Sequence, residues 1–280
     1  MIKHLLLGAL VPAIASTIAF GVVWWRGAPA GPGRWMWLFE TIAYGAAAFA
    51  GLRAVLGAFV GAPISSDQRL PYAFAVAAMG AVLVGASRAG RPAHRGLLPL
   101  LVCGGAAVVI GTRVGSVMNW PAWQQAAAAL AGAGVSLALF LSFVRVLDRG
   151  GARLGLATML VVTGCAAQVM VLALASLKLG QCAGVLSASL GGAALMSFVR
   201  PVASGREALA AFTAVGATVI IFQGTLFGGP AVGEAALYSA SIPLGAGLAA
   251  LVLSGFAKSL PTGGKWLVTL GAAAALPAIA

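Results

Sequence analysis

Charge is the scarcest feature of this chain. Only 8% of its 280 residues are charged, and five of them are acidic. A soluble domain of that length carries about 25% charged residues. So few ionic groups cannot cover a water-facing surface, which excludes a soluble globular fold. Cysteine is scarce as well. Three Cys exclude a disulfide scaffold, and Cys103, Cys165 and Cys182 show no C-x-x-C spacing and read as small apolar packers. The two histidines, His4 and His94, fall on opposite sides of the membrane in the topology derived below, so one chain builds neither a bis-His haem site nor a His-based metal site. No G-x-S-x-G, no H-E-x-x-H and no Gly-rich loop followed by Lys-Ser/Thr occurs. The expectation is a protein that is not an enzyme and carries no cofactor and no metal, because general acid-base chemistry needs positioned groups.

Apolar residues are what the chain has. They make up 61% of it, with 39 Gly besides, and the mean hydropathy is +1.03. Disorder requires the opposite composition. A membrane barrel requires alternation of apolar and polar residues, whereas these runs are continuous. The fold expected is all-α, a polytopic transmembrane helical bundle forming one integral membrane domain over 1–280.

A helix needs about 20 apolar residues to cross the hydrocarbon core. Ten segments qualify: Leu5 to Trp25, Trp35 to Val60, Leu70 to Ser87, Leu97 to Met118, Ala122 to Val144, Leu154 to Leu177, Gln181 to Val199, Ala208 to Gly228, Ala235 to Phe256 and Trp266 to Ala280. Trp24, Trp25, Trp35, Trp37, Trp120, Trp123 and Trp266 fall at segment ends, as an aromatic belt would. A basic start at Lys3 and His4 with Ala13-Ile-Ala15 also fits a cleavable signal, but the apolar run continues to Trp25, as a retained helix does.

The net charge of +12 does not indicate nucleic acid, because the basic residues are spread one to three per loop with no run or aromatic-interleaved patch. They indicate orientation instead. One alternating set of loops holds Arg26, Arg34, Arg88, Arg91, Arg95, Arg145, Arg149, Arg153, Arg200, Arg206, Lys258 and Lys265. The other holds Lys3, Arg53, Arg69, Arg113 and Lys178. Lys and Arg accumulate in the cytoplasm, so both termini are expected outside it, in a multi-pass protein of a bacterial inner membrane. Lys3, ahead of an apolar run, dissents.

A repeat underlies the segments. Gly45-Ala-Ala-Ala-Phe-Ala-Gly-Leu-Arg53 matches Gly105-Ala-Ala-Val-Val-Ile-Gly-Thr-Arg113 at G-A-A-x-x-x-G-x-R, and Cys165-Ala-Ala-Gln168 follows sixty residues later. Returning segments close on Ser142-Phe-Val-Arg145 and Ser197-Phe-Val-Arg200. Four in-out-in hairpins are expected, at about 35–87, 97–145, 154–200 and 208–258, flanked by helices 5–25 and 266–280. The competing explanation is chance matching within Gly/Ala-rich sequence.

An ionisable or amide group inside a membrane is costly and therefore a candidate for function. Arg53 and Arg113 close the shared run. They either converge on an anion, for which the guanidinium fork is suited, or snorkel to the interface. Glu40 is either a proton-coupling carboxylate or the partner of an Arg such as Arg34. Gln168, at the middle of its segment, and Gln223, deep in its own, either bind substrate or bond across to neighbouring helices. Glu207 and Glu234 read as helix-start carboxylates, and Asp67 and Asp148 as solvated loop residues. Two functions follow. The first is a small-molecule permease with a cavity between hairpins, lined by Gln168, Gln223, Arg53, Arg113 and Glu40. The second is a non-catalytic structural or assembly subunit that docks partner membrane subunits. The partners expected are the lipid bilayer and, by reading, a small solute or other subunits, with no nucleic acid.

Overall fold

The computed structural model describes residues 9–26, 36–56, 97–174, 176–199, 206–227, 232–255 and 259–279. Eight α-helices make up nearly all of these residues, with no strand among them: α1 (Val11–Arg26), α2 (Met36–Leu56), α3 (Leu97–Met118), α4 (Ala122–Leu172), α5 (Leu177–Val199), α6 (Arg206–Phe227), α7 (Val232–Ser254) and α8 (Thr262–Ile279). Among the described residues, four helical stretches are long and apolar enough to cross a membrane: Ala122–Leu172, Leu177–Val199, Leu209–Leu226 and Glu234–Ser254. The expected third segment, Leu70 to Ser87, lies outside the described residues.

The centre of the bundle is α6, which touches α2, α3, α4, α5 and α7. Its sequence explains the position. Every residue from Leu209 to Ile221 is buried, and a helix apolar on all sides presents no polar face that must reach water. Its two threonines in that stretch satisfy themselves within the helix. Thr213 and Thr218 donate to Leu209 O and Ala214 O, one turn back.

Expected segments five and six form one helical run broken at Gly151 (φ 80, ψ 175). That backbone region is open essentially to glycine alone, which explains the Gly150-Gly151 pair. The arms meet at the elbow: a Cβ on Gly155 would lie 3.1 Å from Leu147 Cα. The second arm ends at Leu172, short of the expected Leu177. Asp148, expected in a loop, sits exposed in the last turn before the elbow.

Small residues set the other seams. A Cβ on Gly192 of α5 would come within 2.6 Å of the Thr17 backbone nitrogen of α1, and one on Gly245 of α7 within 2.5 Å of Ala273 O of α8. Apolar burial does not distinguish a neighbouring helix from lipid, so membrane helices associate through such close approach and through bonds between helices. Ser16 Oγ donates to Ser189 O across the α1–α5 seam, and Ser187 Oγ donates to Leu160 O (3.1 Å) across the α4–α5 seam.

The shared G-A-A-x-x-x-G-x-R run falls at similar depth in α2 and α3, with its arginine near each helix end. The faces differ. Ala46 is exposed where Ala106 is buried, and Ala48 is buried where Val108 is exposed.

Candidate functional site

The most polar buried place among the described residues joins α1, α2 and α6. Glu40 enters in the second turn of α2 and is 2% exposed. In the last turn of α1, Trp24 is buried and donates its indole Nε1–H to Glu40 Oε1 at 2.8 Å. Phe20, one turn earlier, holds the indole from the side, with ring centroids 5.1 Å apart. Thr41 is also buried.

One turn beyond Glu40 on the same face of α2, Tyr44 reaches the central helix. Its hydroxyl lies 3.3 Å from Thr213 Oγ1. Thr213 already donates its proton to Leu209 O (2.8 Å), so Tyr44 is the donor in this pair. The Tyr44 ring packs edge-on against Phe212, with centroids 4.8 Å apart. A carboxyl, an indole, a phenol and a threonine thus follow one another from the α1–α2 contact into α6. Such a set can hold a proton at the carboxyl, while the two hydroxyl protons are committed, Tyr44's to Thr213 and Thr213's to Leu209 O.

The other expected site residues do not join it. Gln223 is buried in α6, ten residues beyond Thr213 and so about 15 Å further along the helix. Gln168 shares that level but not that face. Met170, two residues on, packs onto Gly224 of α6, while Gln168 is exposed on the outward side of α4. It lies one turn from the helix end at Leu172 rather than at mid-helix. Arg53 is exposed in the last turn of α2. Arg113 lies on α3, with its side chain outside the described residues.

Sequence reading does not single out Tyr44 or Thr213, and it places Trp24 elsewhere. Closing a segment suggests an aromatic-belt place for both Trp24 and Trp25, but Trp24 is buried whereas Trp25 is 71% exposed. The available signal was Glu40, because a buried carboxyl needs a donor, and Tyr44 stands four residues along on the same helix face. Glu207 and Glu234 do occupy first turns, of α6 and α7. No group of three or more His, Cys, Asp or Glu gathers as a metal site among the described residues.

No protein-family model, no curated protein and no solved structure matches this chain.

Proposed function

We propose that this chain is a multi-pass membrane permease for a small solute, with the Glu40 carboxyl as its ionisable element. The observation that carries the reading is the burial of Glu40 beneath the Trp24 indole. A chain with five acids commits one of them to an interior where charge is expensive, and intramembrane acids mark ion and proton pathways. Glu40 exchanges a proton with the solute's passage. Tyr44 and Thr213 supply polar contacts next to it, and Gln223 supplies one further along α6. Gln168 and Arg53, on outward faces, stand outside this path. The wider topology belongs to the same reading: ten spans, both termini outside the cytoplasm, and hairpins built on the G-A-A-x-x-x-G-x-R run. The matching depth of that run in α2 and α3 supports the hairpins, and the unlike buried faces weigh against them.

The test is proton flux in proteoliposomes loaded with a pH-sensitive dye and challenged with pools of amino acids, sugars, nucleosides and organic cations. At least one pool should drive proton movement in the wild type and none in Glu40→Gln, with the variant still folded.

A second reading, the structural or assembly subunit, is favoured by the outward face of α4. There Ala127, Ala131, Gly134 and Ala138 are exposed in one line, the spacing at which small residues let a second helix approach closely. Under this reading no pool moves protons, and Glu40→Gln changes thermal stability alone.

A further inference from the structure

We propose that the end of the bundle formed by the α4 elbow, the end of α5 and the start of α8 binds the headgroup of an anionic phospholipid. The inference rests on the membrane reading and does not depend on transport.

Three elements meet there through a stack of side chains. Arg153, two residues past the Gly151 break, donates Nε–H to Ser197 O (2.9 Å) and Nη2–H to Phe198 O (3.3 Å). Its guanidinium lies 5.6 Å from the Phe198 ring centroid, and Phe198 lies 5.7 Å from Trp266 of α8. Beneath the stack, Val146 and Leu154 from either side of the elbow pack with Leu253, Leu260 and Leu270. Arg153 therefore does structural work, closing the carbonyl end of α5, where a cation is favoured.

The cations around it do no such work. Arg145 and Arg149 are exposed one turn apart on the same face before the elbow, and Lys265 adjoins Trp266. None of these three pairs with a carboxylate among the described residues, and Asp148 is the one acid in their midst. Their positive charge is left over at a place that also exposes Phe198 (53%) and Val199 (66%). A soluble anion gains nothing from that apolar rim. A phospholipid uses both halves, with its phosphate on Arg149 and Lys265 and its glycerol and upper acyl carbons on the aromatic pair. Basic pockets between helices at the cytoplasmic surface bind anionic headgroups in this way, and the arginine fork matches phosphate geometry.

The experiment uses the full chain in neutral detergent, titrated with phosphatidylglycerol, phosphatidylcholine or inorganic phosphate. Thermal midpoint and retained lipid by native mass spectrometry are both read. Phosphatidylglycerol should raise the midpoint and stay bound, while phosphatidylcholine and free phosphate should do neither. R149Q and K265Q should each weaken phosphatidylglycerol binding roughly fivefold, the worth of one cation near the headgroups, and K265R should restore it. R149Q alone serves if K265Q disturbs α8. R53Q is the control. It neighbours Gly51, which packs on Val185 of α5, twelve residues and about 18 Å from Ser197, and it should change nothing. Equal responses to the two lipids, an equal response to free phosphate, or an equal loss in R53Q would overturn the site. Carbonate washing of native membranes separates the two inferences. Release of the protein would overturn the membrane reading and the site with it, whereas retention with no lipid preference would overturn the site alone.

Discussion

The Trp24–Glu40 bond supplies a buried carboxyl with a donor from a different helix. Trp24→Phe keeps the ring that Phe20 packs against and removes the N–H. Losing one hydrogen bond to a buried group costs about 0.5–1.5 kcal/mol, and more where the acceptor is charged. The thermal midpoint should fall, and fall by less when Glu40 is already Gln, the pattern of a coupled pair in a double-mutant cycle. The opposite case is Thr269. It is buried with no hydrogen-bond partner for its Oγ1 among the described residues, while Thr158, Thr163 and Thr225 donate to carbonyls one turn back. Thr269→Val removes a hydroxyl that satisfies nothing, so the midpoint should hold or rise. A fall would show an unseen partner.

Elements are joined here by the absence of side chains as much as by their presence. Gly151→Ala places a Cβ on a backbone at φ 80, ψ 175. It should cost about 1–3 kcal/mol, and limited proteolysis near the elbow should reveal it. Gly192→Ala meets α1 backbone at 2.6 Å, whereas Gly104→Ala meets nothing within 4 Å. Measured side by side in detergent, the first should unfold earlier and the second should match the wild type. Equal behaviour would mean that α1 and α5 are not held in this contact. The hydroxyl side chains follow the same logic. Most are spent on their own helix, so their number says little about a polar cavity.

For the whole molecule, faces decide what depth does not. Gln168→Leu alters an outward position and should leave thermal stability unchanged. Gln223→Leu alters a buried one and should lower it by about 1–3 kcal/mol, as losing a buried polar partner does. Equal effects would contradict the placement of α4 against α6. The topology has its own measurement. Reporter fusions after Gly90 and Gly150 should read cytoplasmic and one after Val232 exterior, as the distribution of Lys and Arg requires. Reversal at two of these would overturn the orientation.

The sequence by itself determined that the chain is helical and apolar enough to cross a membrane, because hydropathy and the shortage of charge act at every residue independently of contacts. It also marked Glu40, because a carboxyl inside a hydrophobic run is anomalous without knowledge of its neighbours. The Gly150-Gly151 pair lay between two expected segments, as a tight reversal requires. Only the tertiary structure decided which face of each helix turns inward. Gln168 and Gln223 looked alike as amides interrupting apolar runs, and Trp24 looked like Trp25 as a residue at a segment end. Lipid and a neighbouring helix accept the same apolar side chains, so the periodic signal that orients a soluble helix is nearly flat here. What separates inside from outside is close packing at glycines such as Gly192 and Gly224 and the few bonds between helices, and those exist only once the partners are in place.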